Sequence, residues 1–278
     1  MLIIGIFATA LSTLSFSLAW LERRIERQRS YVFEQNKPPF SVLLKSFFTE
    51  AFLLFIAIVS SPLMLIKSQN KNTASSPIVL IHGYAHNRCA WFFIQKYLQM
   101  KGFGRIHTLN LFPPFGSIES LAKQVQNELE SIKKDHEKAV LIGHSMGGLV
   151  AAYFAENLAN EGEISQIITL GSPFLGTRLA AFGIGKNAAQ MVPQSNFLIS
   201  LNEKISKSPI PYYHLASKID NIIVPWNSAL PKKQEGQEFV VQDLGHLSLL
   251  ASPLVAQKII KWLLRHEKIN DSKHAKLA

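Results

Sequence analysis

Two stretches of the chain, residues 2–20 and 47–66, are almost wholly apolar, and each has the roughly 20 residues that a helix needs to cross a bilayer. The second is interrupted only by Glu50 near its start and Pro62 near its end. From residue 77 the pattern changes to short apolar runs that alternate with longer segments of helical periodicity. Runs at 77–82, 105–109, 138–143, 166–171, 212–217 and 238–242 predict strands, and segments at 88–100, 117–134, 146–158, 187–201 and 253–265 predict helices. In the 117–134 segment Ile118, Leu121, Ala122, Val125, Leu129 and Ile132 recur at helical spacing, so one face packs and the other is solvated. Strand and helix in alternation imply an α/β unit with a parallel sheet covered on both faces. Residues 172–211 exceed an ordinary loop and contain the run Phe182-Gly183-Ile184-Gly185, which predicts a lid-like insertion at 174–211 over the strand ends.

The same pattern divides the chain into an apolar hairpin at 1–66, a polar Lys/Asn/Ser/Thr linker at 67–76, the α/β unit at 77–266 and a basic tail at 267–278. No Lys or Arg precedes the first apolar segment and no small-residue cleavage site closes it, so it is expected to stay as an anchor. Between the apolar segments Arg23, Arg24, Arg27, Arg29, Lys37 and Lys45 outnumber Glu22, Glu26 and Glu34. Cationic loops stay cytoplasmic, which predicts two spans in a bacterial-type inner membrane with the α/β unit on the periplasmic side. The net charge of +10 and pI near 9.6 invite a nucleic-acid reading. The excess lies largely in the 21–46 loop and the C-terminal stretch, where Lys258, Lys261, Arg265, Lys268, Lys273 and Lys276 outnumber Glu267 and Asp271; no base-stacking or zinc-knuckle pattern accompanies it, and it suits an anionic membrane surface instead. The lone Cys89 excludes an internal disulfide and says nothing of compartment.

Within this frame Gly143-His144-Ser145-Met146-Gly147 stands between a predicted strand and a predicted helix, where a Gly-x-Ser-x-Gly run forms a nucleophile elbow. The turn is sharp, so the residues two positions either side of the serine must lack bulk, and Gly143 and Gly147 meet that demand. A serine hydroxyl needs a base, and the base needs a carboxylate to fix its tautomer. Downstream of Ser145, His214 falls inside a strand pattern and His266 and His274 fall in the basic tail. His246 alone sits in a loop between a strand end and a helix, and is the expected base. The acid is Asp220 or Asp243; Asp220 lies at the carboxyl end of the 212–217 strand, and that placement favours it.

Backbone N–H groups of Met146, at the helix start, and of Tyr84, in the loop after the first strand, are the expected oxyanion donors. His82 and His86 have no third ligand at suitable spacing, so no metal is inferred, and His82 is expected to shape its loop by hydrogen bonding.

Taken in order, Ile81-His82-Gly83, Gly143-His144-Ser145-Met146-Gly147-Gly148, Thr169-Leu170-Gly171-Ser172-Pro173-Phe174-Leu175-Gly176-Thr177, Asp220 and Gly245-His246 resemble the α/β-hydrolase superfamily, and within it the bacterial lipases and esterases. The likeness implies a mostly parallel central sheet flanked by helices, a triad of Ser145, Asp220 and His246, and a small lid. Phe112, Phe115, Phe174 and Leu175 are expected to line an apolar acyl site if their loops converge, and such a pocket favours acyl chains over sugars or peptides. The expectation is a membrane-anchored serine ester hydrolase acting on lipid or other acyl esters without a cofactor. An acyltransferase using the same acyl-enzyme, and a catalytically idle membrane adaptor, are the alternatives. The lack of a cleavable signal and of disulfides departs from secreted lipases and puts free triglyceride as substrate in doubt.

Overall fold

A computed structural model describes residues 2–29, 38–62, 76–134, 137–231 and 237–274. Two long helices, α1 (Leu2–Arg29) and α2 (Phe40–Ser60), precede an alternating series: β1 (Ile78–Ile81), α3 (Phe92–Met100), β2 (Ile106–Thr108), α4 (Ile118–Ile132), β3 (Ala139–His144), α5 (Met146–Asn157) and β4 (Ile164–Leu170). Then follow α6 (Lys186–Gln190), α7 (Asn196–Lys207), β5 (Tyr212–Ser217), β6 (Glu238–Val241), α8 (Ser248–Ala251) and α9 (Pro253–His274). The strands form one six-stranded sheet in the order β2-β1-β3-β4-β5-β6, with every neighbouring pair parallel.

Side-chain alternation sorts the strand residues to the two faces. Val79, Ile81 and Leu141 join the cluster that includes Leu121 and Val125 of α4 and Leu149 of α5. Ile78, Leu80, Val140 and Ile142 join the one that includes Leu98 of α3 and Ile259 of α9. Because helices cover both faces, β1 is buried along its whole length and shows no polar alternation. Full burial of each such side chain contributes about 1.5–3 kcal/mol. Pairing of Gly143 with Ile81 on one side and Thr169 on the other brings the carboxyl ends of β1, β3 and β4 level, and this edge carries the candidate site.

Several boundaries depart from the sequence pattern. The 88–100 segment opens as a 3-10 turn, Arg88–Trp91, with Asn87 Oδ1 accepting from Cys89 N at 2.9 Å before α3 starts. The single helix expected at 187–201 is two, α6 and α7, separated by a turn in which Pro193 supplies no N–H and Gln194 has φ 63°. Ser195 then caps α7, accepting from Leu198 N at 3.3 Å. Helix α9 continues to His274, through most of the segment read as a tail. Of the predicted 67–76 linker, all but Ser76 lies outside the described residues, as do 275–278.

Helices α1 and α2 pack on each other, with the Phe16 and Phe47 rings edge to face at 5.6 Å. Both are long and apolar enough to cross a membrane by length and composition. Their polarity is inverted relative to a helix on a water-soluble core. On α2 the outward face is Phe40, Leu44, Phe48, Phe52 and Ile56, all exposed, whereas Ser46 and Glu50 are buried. On α1 the exposed face carries Ile3, Phe7, Leu11 and Leu14, and Ser12 is buried. Polar side chains of the pair reach the α/β unit: Glu22 forms an ion pair with Arg178 at 2.7 Å, and Ser15 Oγ accepts from Asn221 Nδ2 at 3.0 Å.

Candidate active site

Ser145 joins β3 to α5 at φ 55° and ψ −128°, a conformation in which a residue with a Cβ is strained by about 1–3 kcal/mol. The surrounding glycines make the turn possible. A Cβ on Gly147 would collide with the carbonyl oxygen of Ile81, and one on Gly143 would collide with Gly148. Ser145 N donates to Leu170 O at 2.9 Å, which pins the serine to the end of β4.

The next residue along β4, Gly171 at φ 54°, borders the acid–base pair: an added Cβ would lie 3.1 Å from Asp220 Oδ2 and 3.3 Å from His246 Nδ1. His246 Nδ1 donates to Asp220 Oδ2 at 2.9 Å, and both side chains are buried. Asp220 Oδ1 in turn accepts from Ile222 N and Ile223 N, each at 2.8 Å, so the carboxylate is oriented by its own loop. His246 N donates to Asn221 Oδ1 at 3.1 Å, and the Ser217 hydroxyl donates to Leu244 O, tying the loop after β6 to the end of β5. Asp243, the other candidate acid, is exposed. No hydrogen bond joins Ser145 Oγ to the imidazole among the described residues.

Burial alone depresses the proton affinity of His246, but the charge and hydrogen bond of Asp220, with a contribution from Glu50, raise it above the ordinary imidazole value. His144, His82, His86 and His214 move the opposite way. His144, the residue before the serine, is held well below the usual range by burial and by the proximity of His246. Its ring lies 4.5 Å from that of His246, and its Nε2 donates to His246 O at 3.1 Å. Burial also lowers His82 and His86 to about 4 and His214 to about 3.

Gly83 crosses directly over the nucleophile, since a Cβ there would be 2.9 Å from Ser145 Cβ. Tyr84 follows it and Met146 opens α5, so both expected oxyanion donors belong to segments bordering the serine. His82 shapes this loop, as expected, with Nδ1 donating to Gly83 O at 2.8 Å and Nε2 accepting from Leu111 N at 2.9 Å. Both ring nitrogens are thereby engaged within the protein. No group of three His, Cys, Asp or Glu side chains suited to a metal occurs among the described residues.

The insertion is tied to the oxyanion loop: Tyr84 Oη donates to Ile184 O and accepts from Ile184 N, both at 2.8 Å. The Tyr84 ring rests 5.5 Å from that of Phe115. The four residues expected to line an acyl site are not brought together. Phe112 and Phe115 are exposed on the loop beside Tyr84, whereas Phe174 is fully buried with its edge on His214 at 5.0 Å. Phe174 and Leu175 instead line a cavity of about 610 Å3 with Arg178, Leu198, Ile199 and Pro225, and neither Ser145 nor His246 borders it.

Sequence reasoning did not reach Glu50, Asn221 and His144. His144 stood in the elbow motif, but nothing in the pattern pointed its ring at residue 246.

Comparison with solved structures decides the architecture. A lipase from Bacillus licheniformis in its mature form superposes with a TM-score of 0.57 at 16% identity, over 70% of this chain and 94% of that one. An α/β hydrolase from a lagoon-sediment metagenome gives 0.55 at 15% identity, over 73% and 99%. The chain has the α/β-hydrolase fold. A family model described as the PGAP1-like alpha/beta domain matches residues 115–204 of this chain, which include the elbow. Its sequence is 32% identical to triacylglycerol lipase 2 of Saccharomyces cerevisiae over 160 residues, 54% of this chain and 46% of the relative. It is 35% identical to a pimeloyl-[acyl-carrier protein] methyl ester esterase of Vibrio campbellii over 97 residues, 34% of this chain and 36% of that protein. The chain thus spans less than half the length of these relatives, and over the matched residues it is similar to a lipase and to a methyl ester esterase.

Proposed function

We propose that the protein is a membrane-associated serine hydrolase of lipid or other acyl esters. Ser145 attacks the ester carbonyl, His246 Nε2 takes the hydroxyl proton and passes it to the leaving alcohol, and Asp220 holds the imidazole with Nδ1 protonated. The backbone N–H groups of Tyr84 and Met146 stabilise the oxyanion, Met146 with the positive end of the α5 dipole behind it. Water then cleaves the acyl-enzyme. The observation that carries this reading is the buried His246–Asp220 hydrogen bond of 2.9 Å, set beside a serine in strained elbow geometry. Relatives named as lipase and methyl ester esterase support the ester class.

The outward apolar faces of α1 and α2 favour attachment to a bilayer, which concentrates lipid esters near the site. Sidedness rests on the cationic 21–46 stretch, which favours the hydrolase unit facing the periplasm of a bacterial inner membrane. Reporter fusions on either side of that stretch test this; identical sidedness for the stretch and the hydrolase unit sinks it.

The deciding experiment compares the wild-type chain with Ser145→Ala for fluorophosphonate labelling and for turnover of p-nitrophenyl esters of increasing chain length. Labelling and turnover that vanish together in the variant support the assignment. Undiminished turnover in Ser145→Ala refutes it. Product analysis with an added alcohol distinguishes transfer from hydrolysis.

A further inference from the structure

Glu50 is an acidic residue in the middle of a markedly apolar helix, and it is buried. A carboxylate in that setting is strongly unfavourable unless its oxygens are matched by donors. The donors come from the far end of the chain. Oε2 accepts from Leu247 N at 2.8 Å, and Oε1 accepts from Ser248 N at 2.8 Å and from Ser248 Oγ at 2.6 Å. These are the two residues that follow His246. On its other side Gly245 leaves a slot that the Glu50 side chain fills, for a Cβ at 245 would lie 2.5 Å from Glu50 Cγ, Cδ and Oε1. Helix α1 contributes as well, through Ser15, which accepts from the same Asn221 whose Oδ1 accepts from His246 N.

We propose that Glu50 is a positioning residue for His246: by gripping the backbone just after the histidine, it holds the imidazole in line between Asp220 and Ser145, and it makes α2 a wall of the active site. This rests on the assignment of His246 as the base. A side chain that merely satisfied loop N–H groups would leave the chemistry of His246 unchanged, and here the two cases part. The titratable groups facing the imidazole are Asp220 from the loop after β5, His144 from β3, His86 from the loop after β1, and Glu50 from α2. Loss of the Glu50 charge removes one of the influences that favour the protonated ring.

The test uses the full chain in lipid nanodiscs, with rates normalised to the folded fraction by circular dichroism. Glu50→Ala is expected to lower kcat by about 10- to 100-fold with KM within about twofold, the size of effect expected when a catalytic group is misplaced by an ångström. Glu50→Gln keeps a carbonyl acceptor, so it folds with a smaller loss, and the acid limb of kcat/KM moves to lower pH. Glu22→Gln, which breaks the Arg178 ion pair without touching the His246 loop, keeps wild-type kcat.

Two measurements need no turnover. Amide exchange at Leu247 and Ser248 accelerates in both Glu50 variants while β1 and β3 stay protected, and the His246 ring followed by NMR titrates at lower pH in Glu50→Gln. Wild-type kcat together with an unshifted His246 titration in both variants overturns the proposal. Should Ser145→Ala retain ester turnover, the hydrolase reading fails, and the exchange and titration then decide whether Glu50 governs the imidazole.

Discussion

At φ 55° Ser145 holds backbone strain in the folded state, and that strain makes a separable prediction. Ser145→Gly removes the hydroxyl and the steric conflict together, so turnover is lost while stability rises by about 1 kcal/mol, read as a higher thermal midpoint than that of Ser145→Ala. The acid is tested next. Asp220→Asn is expected to leave the fold intact and lower kcat by about 10⁴-fold, whereas Asp243→Asn, at an exposed position, leaves it unchanged.

The proton affinity of His246 sets the pH profile. In the proposed mechanism the imidazole acts only when neutral, and its pKa is raised above the ordinary 6.5 chiefly by Asp220 against the opposing effect of burial. Activity therefore falls as pH drops through a midpoint above 6.5, in kcat/KM measured with a non-titrating ester. A midpoint below 6.5 contradicts this, since His144, His82 and His86 are depressed. At this scale the placement of Ser145, Asp220 and His246 at strand ends was legible because each proposed role demands a residue type at a particular kind of strand end. Glu50 was not, because in a linear apolar run one acid looks like an interruption, and its donors lie 197 and 198 positions away.

At the scale of elements, the strands and the elbow could be read from pattern because burial on both faces leaves uninterrupted apolar runs. The break between α6 and α7 was hidden, since both halves keep helical spacing and only Pro193 and the positive φ of Gln194 mark the turn. The acyl site failed for a related reason: aromatic residues near a predicted loop cluster do not reveal which of them turn inward. Phe174 went to the core and Phe112 to the surface. Contact between β1 and α5 leaves no room for a side chain at Gly147. Gly147→Ala pushes a methyl group into the Ile81 carbonyl, and a loss of about 1–3 kcal/mol is expected by denaturant unfolding, with reduced fluorophosphonate labelling because the elbow is displaced.

For the whole molecule, the inverted polarity of α1 and α2 presents an apolar outer face. A band containing Phe40, Leu44, Phe48, Phe52 and Ile56 is a poor surface for water and a good one for acyl chains. Phe48→Asp combined with Phe52→Asp is expected to shift the protein from the floating to the sedimented fraction in vesicle flotation, while turnover of a short soluble ester is kept. Retention on vesicles at wild-type level speaks against this face as the lipid contact. The apolar lengths of both helices were legible but their rotation was not, because a helix that is apolar nearly all round shows no favoured side until its few polar residues find partners. Ser15 and Glu50 supply that orientation by meeting Asn221 and the residues after His246.

The span between Glu50 and Ser248 also sets a schedule. During synthesis α2 leaves the ribosome long before the segment that satisfies its carboxylate, and the two are separated by the entire parallel sheet. A nascent chain can therefore settle its greasy helices and assemble its strands while the base still lacks its brace. Under the proposed mechanism, competence for ester hydrolysis arrives as a late event, after the earliest-made and latest-made parts of the molecule have found each other.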